Sequence, residues 1–278
     1  VNIPNYDSPL QSVGGENNAF TTPDLTNYYI SLPYQNLETA FWLESDRMLS
    51  LAFNPQSLEV QRKVVIEEFK QRYLNQPYGD VWLKFRPLIY QQHPYRWATI
   101  GKEISHIEEA TLDDVKAFFQ KHYVPSNAIL VLAGKVKLDE VKLLAEKWFG
   151  PIPAGVKPVR NLPKEPIQEE DRRMEIKADV PSNRIYIAYP IVGRYDSGYH
   201  AIDLLSDLLG RNESSYLYNV LVQDQRIFDS LHASLTGSMD PGLLVVSGQI
   251  CEGVDVEQAE KLLLAAIQDF VKTGIDAE

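Results

Sequence analysis

The sequence predicts an α+β protein of two homologous domains, each a mostly antiparallel sheet with helices packed on one face. Two observations predict this fold class. Short runs rich in aromatic and β-branched residues are interspersed with longer amphipathic runs of helical period. A series of strand, turn with Pro and Asp, strand and long helix also recurs after about 214 residues, an offset too long for a solenoid, which indicates a duplicated domain.

The repeat is visible in two sets of short segments. In the first copy, residues 19–24 (AFTTPD) precede residues 28–31 (YYIS). In the second copy, residues 233–236 (ASLT) and Asp240-Pro241 precede residues 244–247 (LVVS). The correspondence is faint in sequence but keeps the same order of elements.

The repeat also predicts the domain boundaries. The second copy opens with strands in 173–190 and a helix, and nothing equivalent precedes the first copy. We therefore expect a first domain over 1–150 that is incomplete at its N-terminus. Residues 151–170 hold five prolines and many charges, which predicts a linker. A second domain over 171–278 follows, and we expect it to be incomplete at its C-terminus.

Composition excludes several function classes. The net charge of -11 argues against a nucleic-acid groove, because phosphate contact needs clustered Lys and Arg. No apolar run reaches the length of a membrane helix, so we expect no membrane span. Cys251 is the only cysteine, so the chain has neither an intrachain disulfide nor a two-cysteine metal motif. A bacterial cytoplasm and a periplasm both suit this composition.

The elements follow from periodicity and from turn and cap residues. Residues 17–22 and 26–32 are predicted strands, joined by a turn at Pro23-Asp24. Thr111 with Asp114 three residues later predicts a capped helix start. The other main predictions are helices over 36–53, 57–73, 80–90, 111–122, 138–149, 199–209, 214–225 and 256–273, a buried strand over 127–134, and strands over 174–180, 184–190, 228–233 and 242–250.

The helix over 57–73 contains the most informative residue. Its apolar stripe, Val60, Val64, Val65 and Phe69, has the spacing of a core-facing side, and Ser57 is a plausible N-cap. Glu68 lies at the edge of that stripe, facing inward or nearly so. A buried carboxylate needs a cation, a donor network or a metal. From helix geometry alone, a salt-bridged structural glutamate is the commoner interpretation and a metal ligand is the alternative.

Several motifs, in order along the chain, resemble the pitrilysin/insulinase family of zinc metallopeptidases, peptidase family M16. Gly14-Gly15, Asn18-Ala19-x-Thr21 and Thr26-x-Tyr28 match its first pattern. The sequence RKVVIEEF resembles the segment that delivers the third zinc ligand, HPYRWATIG its His-Pro-Tyr…Gly segment, and YVPSNAILVLAG its Tyr-x-Pro-x-Asn strand. The resemblance implies the metallohydrolase fold shared by LuxS and mitochondrial processing peptidase.

The resemblance assigns roles to particular residues. It makes Glu68 a ligand of Zn²⁺ and places Gln61, where the family often has a glutamate, beside that ligand. It implies that residues Asn18, Ala19, Phe20 and Thr21 form an edge strand that binds an extended peptide by adding it to the sheet. The alternative is that Asn18 and Thr21 only satisfy turn hydrogen bonds, and the two roles can coexist.

One departure from the family is decisive for function. The chemistry needs an HxxEH motif, whose two histidines hold zinc and whose glutamate is the general base. None of the five histidines lies in such a motif, so this chain has no catalytic residue of that set. Counting back from Glu68 by the family's spacing leads to a position before residue 1. We therefore expect a fragment that binds zinc weakly or not at all and is inactive alone.

The resemblance leads to one function and one alternative. The full-length protein would be a zinc-dependent metalloendopeptidase, with a peptide as substrate and with a second half of a clamshell supplied by the same chain or by a partner. The alternative is a non-catalytic peptide-binding or assembly subunit of the same family. His93 is expected to hold local structure in its loop.

Overall fold

The computed structural model describes residues 6–49 and 51–274, and it divides the chain into two compact units, one ending at Arg172 and one beginning at Arg173. Both units combine helices with antiparallel strands, so the predicted α+β class is confirmed. The domain limits of 1–150 and 171–278 stay a prediction. Residues 151–172 belong to the first unit.

The first unit is mostly helical. Its strands are β1 (Glu16–Thr21) and β2 (Thr26–Ser31), and its helices are α1 (Asp7–Ser12), α2 (Leu37–Leu49), α3 (Pro55–Phe69), α4 (Val81–Ile89), α5 (Ile104–Glu109), α6 (Leu112–His122) and α7 (Leu138–Phe149). A π-helical segment, Lys70–Leu74, continues α3. The two predicted strands of this unit, 17–22 and 26–32, agree with β1 and β2 to within one residue at each end.

The β1–β2 hairpin is a two-stranded antiparallel ribbon. Its register pairs Glu16 with Ser31 at one end and Thr21 with Thr26 beside the turn. All six residues of β1 are exposed, and no third strand pairs with either edge in the part of the chain that the structure describes. Because an isolated hairpin is marginal in water, its position must depend on side-chain contacts outside the ribbon.

Local capping determines where two of the helices begin. At α3 the N-cap is Asn54, whose side chain accepts a hydrogen bond from Ser57 N, with Pro55 in the first turn. The expected N-cap region around Ser57 is therefore correct, but the N-cap residue is Asn54, and Ser57 is the third residue of the helix and the partner of Asn54 in a reciprocal capping box. The capping box between Thr111 and Asp114 at α6 is confirmed.

The prediction that the α3 stripe faces a core is wrong for two of its residues. Val60 and Val64 are each 54% exposed, whereas Phe69 at the end of the helix is buried. The stripe has the correct helical spacing, but no described element covers this side of α3.

Two predicted strands are absent for a related reason. Residues 127–134 do not form a buried strand, and Ile129 in that segment is 91% exposed. Residues 174–180 also lack regular structure. A strand needs a neighbour for its backbone N–H and C=O groups, and no described strand lies beside either segment.

The second unit has a closed core. It consists of β3 (Arg184–Pro190), α8 (Tyr199–Gly210), a π-helical segment at Tyr218–Asp224, β4 (Phe228–Leu235), β5 (Leu243–Ile250) and α9 (Val256–Thr273). The sheet is antiparallel with the order β3-β5-β4. Its core is formed by residues such as Phe228, Val246, Ile250, Leu263 and Phe270.

A glycine allows close packing of α8 on β4. A Cβ at Gly210 would lie 2.8 Å from both the backbone nitrogen and the Cβ of Ala233, a fully buried residue of β4. Any larger residue there would push the helix away from the strand. None of the described helices in either unit is long and apolar enough to cross a membrane.

The second unit offers a direct test of its core. Leu263→Ala removes a fully buried side chain from α9 and should lower the free energy of unfolding by about 2–5 kcal/mol. Val271→Ala, at an exposed position of the same helix, should change it by no more than about 0.5 kcal/mol. Urea unfolding followed by far-ultraviolet circular dichroism measures both free energies. Tryptophan fluorescence would not report on this core, because all four tryptophans lie in the first unit. Equal midpoints for the two variants would contradict this core assignment.

Candidate functional site

Glu68 lies in the last turn of α3 and faces solvent. Its side chain is 48% exposed, and its Oε1 atom is 3.0 Å from Nη2 of Arg72, one turn further along. The expectation of an inward-facing carboxylate is therefore wrong, because the side of α3 that carries it is uncovered. An exposed pair of this kind contributes about 0–1 kcal/mol, so Arg72 does not hold Glu68 firmly.

The neighbouring residues of α3 define an open face. Gln61, Val64 and Glu68 recur at helical spacing and are all exposed. Glu67 is also exposed and pairs with Lys70 at 2.8 Å. The two glutamates thus have similar surroundings, and only the motif distinguishes Glu68 from Glu67.

Arg62 fixes the rotation of α3 that keeps this face open. Its guanidinium donates hydrogen bonds to the carbonyl oxygens of Ile107, Glu108 and Ala110, at and just after the C-terminal end of α5. The carbonyls at a helix C-terminus lack partners within the helix and carry partial negative charge. Arg62 is next to Gln61, so anchoring Arg62 to α5 turns Gln61 outward. Sequence reasoning missed Arg62, because its partners lie more than 40 residues away.

The described residues hold no group of ligands that could bind zinc without further ligands. Zinc in catalytic sites takes three protein ligands and leaves one position open. Among the described residues no three His, Cys, Asp or Glu side chains lie close enough to share a metal ion. Glu68 is therefore a single candidate ligand among the described residues.

The candidate peptide-binding residues all lie on β1. Asn18, Ala19, Phe20 and Thr21 are exposed, and the outer edge of their strand pairs with no described strand. Local hydrogen bonds also occur here: Asn18 Oδ1 accepts from Ala19 N at 2.8 Å, and the hydroxyls of Thr21 and Thr26 are 3.3 Å apart. The geometry is thus compatible with a peptide-binding edge and with local turn-stabilising roles.

The middle of the hairpin is held by aromatic contacts. Tyr28 of β2, opposite Ala19, lies under the guanidinium of Arg47, whose central carbon is 3.5 Å from the ring centroid. Its hydroxyl also hydrogen-bonds the Tyr123 hydroxyl just after α6. Burial, and then this hydrogen bond, raise the pKa of Tyr123 well above its ordinary value, so it remains a neutral phenol.

The loop over residues 91–97 is held from the proline-rich segment. The carboxylate of Glu165 accepts backbone hydrogen bonds from Gln91, Gln92 and His93, at 2.7, 2.9 and 2.9 Å. His93 is buried, and its Nδ1 atom accepts from Tyr95 N at 3.2 Å, as expected of a histidine that holds local structure. Sequence reasoning missed Glu165, because a proline-rich linker gives no signal of its distant partners.

The hydrogen bonds to Glu165 affect its ionisation. Partial burial acts to raise the pKa of this carboxyl, but the three backbone N–H donors and then the charge of Arg172 outweigh it, and the pKa is lowered overall. Glu165 therefore remains an anion under neutral conditions.

An open cleft lies beside Arg72, the ion-pair partner of Glu68. Its volume is about 340 Å³. It is lined by Arg72, Tyr73, Tyr78, Trp82 and Arg86, among others. Tyr78 has a left-handed backbone with φ of 61°, a conformation that costs energy for a residue with a side chain. The cleft combines aromatic walls with cationic groups.

Comparison with known proteins matches both parts of the chain. A family model described as "Peptidase M16 inactive domain" matches residues 109–278, well over half of the sequence. A second model, described as "Insulinase (Peptidase family M16)", matches residues 4–85.

Individual relatives agree with the family models. The "Zinc protease PqqE" of Helicobacter pylori is 29% identical over 273 residues, which are 97% of this chain and 61% of that protein. The crystal structure of a protease from Helicobacter pylori has a TM-score of 0.91 at 28% identity, over 98% of this chain and 66% of that one. A structure titled as a peptidase M16 inactive domain from Pseudomonas fluorescens has a TM-score of 0.86 at 18% identity, covering 98% and 65%, which shows the fold. The chain spans about three fifths of the length of the first of these relatives.

The Glu165 contact predicts a pH-dependent stability difference. A folded pKa below the ordinary 4.5 means that Glu165 stabilises the fold fully above that pH, and that this contribution is lost as the pH falls through the folded pKa. Glu165→Gln should therefore lower the free energy of unfolding by at most about 1 kcal/mol at neutral pH, because solvent screens this partly exposed group, and should make a smaller difference at an acid pH below 4.5. Urea unfolding followed by tryptophan fluorescence measures this, since the tryptophans lie in the first unit.

The control is Glu169→Gln, an exposed carboxylate on the same segment. It should unfold like the parent chain at both pH values. An equal effect of the two substitutions at neutral pH would show that Glu165 does not hold the loop.

Proposed function

Because this chain belongs to peptidase family M16, as its motifs predicted, we propose that it is part of a zinc-dependent metalloendopeptidase. The observation that carries the proposal is the position of Glu68 on an open face of α3, in the segment that matches the family's third-ligand motif. The relative from Helicobacter pylori that is named a zinc protease supports it. In the full-length protein the substrate would be a peptide or a small protein.

The zinc would be held by Glu68 together with the two histidines of an HxxEH motif supplied from outside these 278 residues. The chemistry that zinc supplies when bound is Lewis-acid polarisation of a peptide carbonyl and activation of water. Glu68 contributes a charged oxygen ligand, and its weak pairing with Arg72 leaves it available. Gln61 lies on the same face and can hydrogen-bond a neighbouring ligand without adding charge. This chain alone would bind zinc weakly or not at all.

The peptide would bind along β1. Asn18 to Thr21 lie on a strand whose outer edge is unpaired in the described structure, so an extended peptide can add to it through backbone hydrogen bonds. Backbone pairing is tolerant of sequence, which suits an endopeptidase that accepts varied substrates. A second clamshell half, from the same chain or a partner chain, would enclose the peptide.

The alternative function is a non-catalytic peptide-binding or assembly subunit. One observation favours it: the family model that matches residues 109–278 describes an inactive domain. The coding sequence upstream of Val1 distinguishes the two functions. An intact HxxEH there indicates the enzyme, and its absence indicates the subunit.

A matched pair of substitutions in the full-length protein tests the metal assignment. Glu68→Gln removes the charged ligand and should reduce bound zinc and peptidase activity by at least about 100-fold. Glu67→Gln changes the adjacent carboxylate, which is also exposed, and both readouts should stay within about twofold of the unmodified protein. Zinc is measured by atomic emission and activity with a quenched fluorescent peptide, with and without chelator.

Stoichiometric zinc in the Glu68→Gln protein would contradict the assignment of Glu68 as a zinc ligand. Loss of zinc in the Glu67→Gln protein instead would move the ligand by one residue. A full-length protein that binds zinc through Glu68 but cleaves no peptide would support the metal site and reject the peptidase.

A further inference from the structure

We infer that residues 151–172 form a strap that positions the β1–β2 hairpin, and that Asp24, Tyr95 and Arg160 are positioning residues for peptide binding. The inference rests on the proposed function, in which β1 is the strand that receives the peptide. It adds a role for a segment whose composition predicts only a linker.

Asp24 is the centre of the arrangement. It lies in the turn between β1 and β2, and its side chain is only 6% exposed. Its Oδ1 atom accepts a hydrogen bond from the Tyr95 hydroxyl at 2.6 Å and one from Arg160 Nη2 at 2.8 Å. Hydrogen bonds to a charged group with little access to water are stronger than neutral ones, so this carboxylate ties the turn to two other segments.

The turn that carries Asp24 is itself well ordered by local bonds. The Thr22 hydroxyl accepts from Asp24 N at 3.2 Å and from Leu25 N at 3.1 Å. Thr22 N also donates to the Leu25 carbonyl at 2.8 Å. Because the turn is a compact unit, holding Asp24 fixes the ends of both strands that leave it.

Tyr95 is a rigid partner for Asp24. Its side chain is buried, and its ring packs edge-on against His93 and Tyr90, with centroid distances of 4.1 and 5.7 Å. Its carbonyl oxygen accepts from Arg86 Nη1 of α4 at 3.1 Å. A hydroxyl held in this way cannot follow the hairpin if the hairpin moves.

The strap contacts both Asp24 and the loop that carries Tyr95, and we call the contacts of Asp24 with Tyr95 and Arg160 the Asp24 junction. Arg160 reaches Asp24, and Glu165, five residues later, holds the backbone of the loop that leads to Tyr95. The strap is fixed at its end by Arg172, which donates to the carbonyls of Leu88 and Ile89 at 3.0 and 2.7 Å. The contacts therefore form a closed circuit from strap to turn, from turn to Tyr95, and from the Tyr95 loop back to the strap.

The circuit matters for peptide binding because β1 has few contacts outside the hairpin. All its residues are exposed, so its position is set by the Asp24 junction at the turn, by Tyr28 in the middle of the ribbon, and by Asn17, whose side-chain amide donates to Asp7 of α1 at 2.7 Å. A peptide that adds to a strand gains affinity when the strand is already held in place. Breaking the junction should raise KM and leave kcat nearly unchanged, because no member of the junction belongs to the proposed zinc site.

The test uses the full-length protein with Arg160→Met, and with Tyr95→Phe as a second route to the same junction. Lys157→Met is the matched control, since it removes one exposed positive charge from the same segment. Affinity for a fluorescein-labelled peptide of mixed sequence is measured by anisotropy with chelator present, so that cleavage does not interfere. Hydrogen exchange of the amides in residues 16–21 reports on the hairpin, and steady-state cleavage separates KM from kcat.

Arg160→Met and Tyr95→Phe should each weaken peptide binding about fivefold to tenfold and speed exchange in β1 by a similar factor. Lys157→Met should change neither, and Arg160→Lys should restore much of the binding. The inference is overturned if exchange and affinity in the Arg160→Met protein equal those of the Lys157→Met protein. If the unmodified protein binds no peptide, the proposed function fails, while exchange in residues 16–21 still decides whether the strap holds the hairpin.

Discussion

The first unit is constrained by apolar side chains and strand edges that no described element covers. In the second unit, helices pack on the sheet and side chains such as Leu263 are fully buried, although Leu204 of α8 is exposed. In the first unit Val60 and Val64 of α3 are half exposed, Ile129 is almost fully exposed, and the hairpin pairs with no further described strand. Apolar side chains and strand edges of this kind are stable when something covers them. The open face of α3 also carries Glu68. In the proposed function, the segment that completes the zinc site would therefore also cover this face.

With no sheet to rest on, the hairpin is held by polar and aromatic contacts. Asp24 joins its turn to Tyr95 and Arg160, and Tyr28 joins its middle to Arg47. Arg62 plays the corresponding part for α3 by bonding the C-terminal carbonyls of α5. These anchors hold the proposed ligand helix and the proposed peptide strand in defined positions.

The features that could be predicted from the sequence are those encoded locally. The limits of β1 and β2 follow from turn residues, and the α6 cap follows from Thr111 and Asp114, because the groups involved are a few residues apart. The predictions that Glu68 faces inward and that residues 127–134 form a buried strand were wrong. Periodicity shows which side of an element is apolar but not whether another element covers it. Asp24 and Glu165 were missed because their partners lie more than 70 residues away, and no local pattern encodes such pairs.

A crystal structure of the full-length protein with zinc tests the central claim most directly, that Glu68 is one ligand of a site completed from outside this chain. We predict a carboxylate oxygen of Glu68 about 2.0–2.2 Å from the metal, two histidine nitrogens at a similar distance, and the Arg72 pair broken. Val60 and Val64 should then be covered. Zinc held without Glu68, or Glu68 still paired with Arg72 beside an occupied site, would contradict the account.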